Sequence, residues 1–289
     1  MSKTTTTLVA NLGFPEGPRW YDNKLWFSDF RTFKVANVDE TGKVKTVLEL
    51  DDQPSGLGWL PCGALLVVSM RKRLLLKYAD NQLSTLADLS ELASYHCNDM
   101  VVDTEGNAYI GNFGAPLGTP VAKTAEIIRV TPDGCASIVA EDMAFPNGSV
   151  ITDNGKTLVI GETYAGRLTA FDIEPNGQLS NRRIWAAFDD LGIVRDSNAI
   201  MDRVNPDGIC LDAEGAIWVA SPNNRREVLR VREGGEILDR VTVETYPYAC
   251  MLGGDDGKTL FVLTSDLYKP GLVGKIETVK VPVARAGLP

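Results

Sequence analysis

Pro206-Asp207-Gly208-Ile209-Cys210-Leu211-Asp212-Ala213-Glu214-Gly215-Ala216-Ile217-Trp218-Val219 decides the fold of this chain. It joins a Pro-X-Gly opening to an apolar run, a polar glycine-containing turn and a second apolar run. The same order recurs in Pro146-Asn147-Gly148 followed by Ile151-Thr152-Asp153-Asn154-Gly155-Lys156-Thr157-Leu158-Val159-Ile160. Asn98-Asp99 likewise leads into a hairpin between Val101 and Ile110. Six copies open at Glu16-Gly17, Ser55-Gly56, Asn98-Asp99, Asn147-Gly148, Asp207-Gly208 and Ala249-Cys250, and Pro15, Pro54, Pro146 and Pro206 precede four of them. Asp-Gly, Asn-Gly and related turns supply the positive φ angles that tight hairpins need.

The openings lie 39, 43, 49, 60 and 42 residues apart. Short strands repeating at about 40–50 residues mark propeller blades. The chain is therefore predicted to be all-β, a six-bladed β-propeller in one domain spanning 1–289, with blades starting near 16, 55, 98, 147, 207 and 249. The last blade has strands at 249–254, 258–264 and 272–281 and lacks a fourth. The segment Thr5 to Asn11 is predicted to fill that place, closing the ring and removing two sheet edges. Helical periodicity is weak throughout, Leu86 to Ala93 being the one modest candidate. In such blades the Gly/Pro-rich stretch Phe113 to Thr124 connects strands B and C, and Asp189 to Asn205 connects D to the next A. Both long connections then rim the face where the inner strands begin.

Composition narrows the function. The chain has 29 Lys and Arg against 38 Asp and Glu, a net charge of −9, and no basic run beyond Arg71-Lys72-Arg73. Nucleic acid is thus not an expected partner. The longest apolar run, Ala64 to Val68, is far short of the ~20 residues of a membrane span, and no secretory leader is visible at Met1. Five widely spaced cysteines (Cys62, Cys97, Cys135, Cys210, Cys250) without a C-x-x-C read as reduced thiols, which suits a cytoplasmic protein. A single histidine, His96, excludes a three-histidine zinc site and an H-E-x-x-H protease.

If the openings are structurally equivalent, their first residues form a ring of Glu16, Ser55, Asn98, Asn147, Asp207 and Ala249 around the axis. Glu16, Asp207, Asn98 and Asn147 then converge as candidate ligands of one divalent cation. Hard oxygens with two carboxylates favour Ca2+. Mg2+ or Mn2+ fits the same donors; Zn2+, without imidazole or thiolate, fits less naturally. His96 lies two residues before Asn98, so alternation along an extended strand points both side chains the same way. Beside a cation it is a candidate proton carrier or substrate contact. Asp29, Glu162 and Asp266 end their B strands near the same face, as further site acids or as solvated loop carboxylates. The five tryptophans fit packing between blades.

Phe14-Pro15-Glu16-Gly17-Pro18-Arg19-Trp20, with Pro146-Asn147-Gly148 and Pro206-Asp207-Gly208, closely resembles the SMP-30/gluconolactonase/luciferin-regenerating-enzyme family. Ser180-Asn181-Arg182-Arg183 and Leu252-Gly253-Gly254 are further echoes, so the resemblance spans nearly the whole chain. It implies a six-bladed, calcium-type propeller with hydrolase activity, most often on lactones, with organophosphate-cleaving relatives. It implies Glu16, Asn147 and Asp207 as metal ligands, Asn98 as a metal or substrate contact, and Asp207 as general base. Where sugar lactonases of the family carry R-x-N-D, this chain has His96-Cys97-Asn98-Asp99. Losing the arginine favours a less polar ester or lactone, as do the nearby apolar Phe14, Met70 and Phe145.

The expected activity is therefore metal-dependent hydrolysis of a lactone or related ester, gluconolactonase-like in type. The cation polarises the carbonyl, and Asp207 serves as base or as ligand. His96, Asn98, Phe14 and Phe145 are the expected substrate contacts, with His96 a catalytic candidate beside Asp207. Two alternatives stand next to it: a phosphotriesterase of the diisopropyl-fluorophosphatase kind, and a calcium- or ligand-binding propeller without turnover. A closed ring demands no protein partner, so a monomer or weak homo-oligomer acting on a small molecule is expected.

Overall fold

The computed structural model describes residues 3–117, 119, 124–152 and 154–287. Six four-stranded antiparallel sheets stand around an axis. The innermost strands are Pro15–Tyr21, Pro54–Trp59, Cys97–Val102, Pro146–Ile151, Ile209–Leu211 and Tyr246–Gly253. The ring closes as the chain's two ends imply. Thr6–Leu12 is the outer strand of the sixth sheet, pairing with Gly274–Lys280 through Thr6↔Thr278, Thr7↔Glu277, Val9↔Ile276 and Leu12↔Gly274.

Burial falls from axis to rim. The inner strands Cys97–Val102 and Pro146–Ile151 are buried at every residue, whereas the outer strand Val44–Glu49 buries only Leu48. An inner strand has a neighbouring blade against each face and so tolerates unbroken apolar runs; an outer strand meets water on one side. Aromatic rings join adjacent blades. Trp20 of the first stacks on Phe261 of the sixth at 5.4 Å, and Tyr21 stacks on Trp59 of the second at 4.1 Å. Gly253 is required there, since a Cβ on it would lie 2.4 Å from the Trp20 ring.

The two long connections lie where the blade order puts them. Ala108–Asn112 and Ala125–Val130 flank the first, within which Gly118 and Pro120–Lys123 fall outside the described residues, as does Asp153 of the fourth hairpin turn. The second contains Ser197–Met201, the one α-helix among the described residues, whose first amides at Asn198 and Ala199 donate to the Asp196 carboxylate. The helical expectation at Leu86–Ala93 is overturned. Strand Gln82–Asp88 runs through its first half, and a single turn follows in which the Leu92 and Ala93 amides share the Leu89 carbonyl. Its apolar spacing serves the interblade core instead, where Ala87, Leu89 and Ala93 are buried.

Candidate metal centre and binding cavity

Each inner strand is disturbed at one place. The ladder to the second strand breaks between Glu16 and Arg19, Pro54 and Leu57, Cys97 and Met100, Pro146 and Ser149, and Pro247 and Ala249. In the fifth blade regular pairing starts only at Ile209, and isolated bonds hold Asp207 and Gly208 to Ala220. A bulge re-aims side chains that would otherwise continue the pleat. Here it turns the residue after each opening proline toward the axis.

Adjacent bulges are bonded to one another. The Gly148 amide donates to Asp207 O (3.1 Å), and the Gly208 amide donates to Tyr248 O (2.8 Å). This contact explains the glycines, because a Cβ on Gly148 would lie 2.5 Å from Asp207 O and one on Gly208 2.5 Å from the Ala249 Cβ. It also corrects the ring by one residue in the last blade. The sixth position is Tyr248, which lines the cavity, while Ala249 is fully buried in the core. Pro247 precedes it, as Pro15, Pro54, Pro146 and Pro206 precede their partners. Proline is tolerated at a strand's first position because no ladder donor is needed there.

Above the ring lies a cavity of about 490 Å3. Glu16, Asn98, Asn147 and Asp207 line it together, and so do His96, Phe14 and Phe145. The four predicted cation ligands and the predicted substrate contacts therefore line one space. The sequence reading missed Phe30, Phe113 and Tyr248, whose rings complete the walls.

The floor is electrostatically uncomfortable without a cation. Burial raises the Glu16 carboxyl first, the Gly17 amide offsets part of this, and Asp99 adds to it, leaving Glu16 pushed up to about 8. Asp207 stands well above the usual aspartate range through burial, with Glu16 and Asp99 contributing in turn. Arg19 is the buried counter-charge. Its Nη2 bonds Asp99 Oδ1 at 2.8 Å and also donates to Met100 O. One guanidinium facing three acids cannot compensate them all, so protons are held in a water-poor place, a setting a hard divalent cation relieves.

The amides agree with that reading. Asn147 Nδ2 donates to Thr163 Oγ1 (3.2 Å), and Asn98 Nδ2 leans on Pro146 O (3.4 Å). Their Oδ1 atoms have no donor among the described residues and remain for a cation. No group of three or more His, Cys, Asp or Glu with metal-binding placement occurs among the described residues. The candidate set is two carboxylates with two amides, so the fit rests on mixed oxygen chemistry.

His96 sits in the wall, stacked on Tyr95 with centroids 4.0 Å apart and planes 19° from parallel. Burial, then the Arg71 charge, lowers its imidazolium pKa; Asp52 opposes and Arg73 adds to the lowering. This favours its neutral form.

The B-strand acids are neither solvated nor at the ring. Asp29 is buried and accepts the Gly13 and Phe14 amides at 2.8 and 2.9 Å. Glu162 accepts Ala144 N (2.7 Å) and Arg167 Nε (2.8 Å), and the Thr169 hydroxyl as well. Burial works to raise Glu162, and these bonds overcome it, leaving the carboxyl below its usual range. Both acids pin the segment that carries a cavity aromatic, Phe14 or Phe145. Asp266, buried too, accepts the Tyr268 amide at 3.0 Å.

No helix among the described residues is long and apolar enough to cross a membrane. Regucalcin of Bos taurus is 24% identical over 267 residues, covering 90% of this chain and 86% of its own length. Three solved structures share the fold. The calcium-binding protein regucalcin of Agrobacterium tumefaciens superposes with TM-score 0.81 at 19% identity, covering 100% of this chain and 97% of its own. A gluconolactonase of Xanthomonas campestris gives 0.74 at 21% identity, with 96% and 89% covered. A luciferin-regenerating enzyme gives 0.79 at 18%, with 99% of each covered. At such identities these likenesses speak for the propeller alone. The sequence pattern of the SMP-30/Gluconolactonase/LRE-like region matches residues 14–266, and the chain belongs to that family.

Proposed function

We propose that this protein is a divalent-cation-dependent hydrolase of lactones or related carboxylic esters. The observation that supports it most is the convergence of Glu16, Asp207, Asn98 and Asn147 on the floor of one cavity. Calcium is the proposed ion, held by these four side chains; a bound cation supplies positive charge to the carbonyl oxygen as it becomes an oxyanion. The kinship with proteins described as gluconolactonase and as calcium-binding regucalcin agrees with both halves of the proposal.

The chain's own residues do the rest. Asp207, lining the cavity beside Glu16 and Asn147, accepts the proton of the attacking water. Glu16 and Asn147 hold the floor, with Asn98 oriented by Pro146 O. His96, neutral and fixed against Tyr95, offers an N–H to the ester oxygen at neutral pH. The expected setting is cytoplasmic, without a protein partner.

The test is hydrolysis of a panel of lactones, esters and phosphotriesters by chelator-stripped protein with and without added calcium. Activity should return with calcium and be lost in Asp207→Ala. Preference for the phosphotriesters over every lactone would transfer the site to the phosphotriesterase reading. Tight calcium binding with no turnover on any substrate would make it a binding propeller.

A further inference from the structure

We infer that the substrate carries a flat aromatic or otherwise apolar group, gripped between two aromatic walls above the floor; this rests on the hydrolase reading. The first wall is Phe113, Phe145 and Tyr164. Phe145 meets Phe113 edge-on at 4.7 Å and Tyr164 at 5.0 Å. The second is Phe14, Phe30 and Tyr248. Phe14 stacks on Phe30 at 5.5 Å with planes 4° apart and meets Tyr248 at 4.5 Å. All six line the same cavity.

Two observations separate these walls from ordinary core. Phe145 holds φ +59°, a left-handed backbone that costs a bulky residue about 1–2 kcal/mol. It is held there by neighbours: the Thr163 amide donates to Phe145 O (3.1 Å), and Glu162 grips Ala144 N (2.7 Å). Strain maintained at a cavity wall points to a use for that ring.

Several polar side chains around the walls are, in addition, already engaged. Arg31 lies 5.7 Å from the Phe14 centroid and donates to Asp266 O (2.9 Å), Leu267 O (3.2 Å) and Gly271 O (3.1 Å). Thr163 Oγ1 donates to Pro206 O (2.7 Å), and Asn205 Oδ1 accepts from Ser221 Oγ (2.7 Å). A sugar ring would turn hydroxyls toward surfaces with few free partners, and each unmatched one costs about 1–3 kcal/mol. An aromatic ring loses nothing there and gains edge-to-face contacts.

The experiment compares calcium-loaded protein on dihydrocoumarin, an aryl δ-lactone, and on glucono-δ-lactone. The kcat/KM for the aryl lactone should be at least ~100-fold higher, about 2.7 kcal/mol. Phe113→Ala and Phe145→Leu should each raise KM for dihydrocoumarin about tenfold while kcat changes less than threefold. A calcium-induced rise in melting temperature, retained in both variants, shows that they are folded. Equal or better use of the sugar lactone overturns the inference and leaves the hydrolase standing. If neither lactone is opened, the hydrolase reading is in trouble, and calorimetry decides the walls separately. Binding of 3-(2-hydroxyphenyl)propionate at least tenfold tighter than gluconate upholds them; equal or weaker binding overturns them.

Discussion

The two ends of the central channel are made by the same six strands, yet they have opposite character. At the end where the inner strands begin, Glu16, Asn98, Asn147 and Asp207 surround the floor of a cavity of about 490 Å3. At the other end, Val101, Ile151 and Leu211 close around a cleft of only about 20 Å3, which Gly287 of the C-terminal tail helps to line. That tail is bonded down: the Ala213 amide donates to Ala284 O (2.8 Å) and the Ala286 amide to Leu211 O (3.0 Å). The strands supply a rigid frame at both ends. What differs is the chain attached to them, long connections at one end and tight hairpins with a plug at the other. Arg19 and Asp99 separate the two, with Arg19 reaching the closed cleft and Asp99 following a ring residue.

Converting the open end into something as inert as the closed one should have the largest effect. Asp207→Asn keeps an oxygen for a cation and removes the proton acceptor, so calcium binding should survive in weakened form while kcat falls about 10²–10⁴-fold. Retention of kcat, measured at saturating calcium, would remove Asp207 from proton transfer. Breaking the divider comes next. Arg19→Met leaves Asp99 buried without its partner and should cost about 3–5 kcal/mol in urea unfolding. A loss under 1 kcal/mol would mean that the pair does not separate the ends.

The third prediction sharpens the electrostatic contrast. Glu16 holds its proton up to about 8 when folded, against an ordinary 4.5. The folded, metal-free chain therefore binds more protons than the unfolded one across that window, and stability falls as pH rises through it. Calcium should flatten or reverse this slope, and Glu16→Gln should lessen it, the rest belonging to the raised Asp207 and Asp99, as melting temperatures at pH 5, 6.5 and 8 would show. A metal-free melting temperature that is flat or rising over this range contradicts the crowded floor. The smallest effect belongs to the plug. Deleting the chain after Val283 should cost about 1–2 kcal/mol through lost hydrogen bonds and leave kcat/KM unchanged. A changed kcat/KM would show that the two ends communicate.

Much of this was legible because blade repetition puts equivalent residues at equivalent places. Four of the six openings put Glu16, Asn98, Asn147 and Asp207 at the cavity floor, and the missing outer strand of the last blade predicted closure by the N-terminal one. The sixth opening was placed one residue late, at Ala249, although Pro247 carries the signal that marks Tyr248. The apolar run around Ala249 and Cys250 obscured it, since bulges break the alternation from which a register is inferred. The walls were harder to foresee. Phe30 and Phe113 sit in irregular connections, where no period assigns a direction to a side chain. Asp29 and Glu162 looked like loop carboxylates because the Gly13, Phe14 and Ala144 amides they accept from leave no trace in residue identities.

The closing strand has a consequence for how the molecule is made. Thr6 meets Thr278 across a separation of 272 residues, so the sixth sheet cannot form until the strand Gly274–Lys280 has been made. Contacts this distant in sequence are slow to find and yield nothing until found. The first five blades must therefore wait as an open arc whose two end blades expose the apolar faces that the sixth will cover. Ring closure is then the latest and most aggregation-exposed step in the assembly of this protein, and the cavity floor, which draws on blades one and five alike, is complete only when the latch has shut.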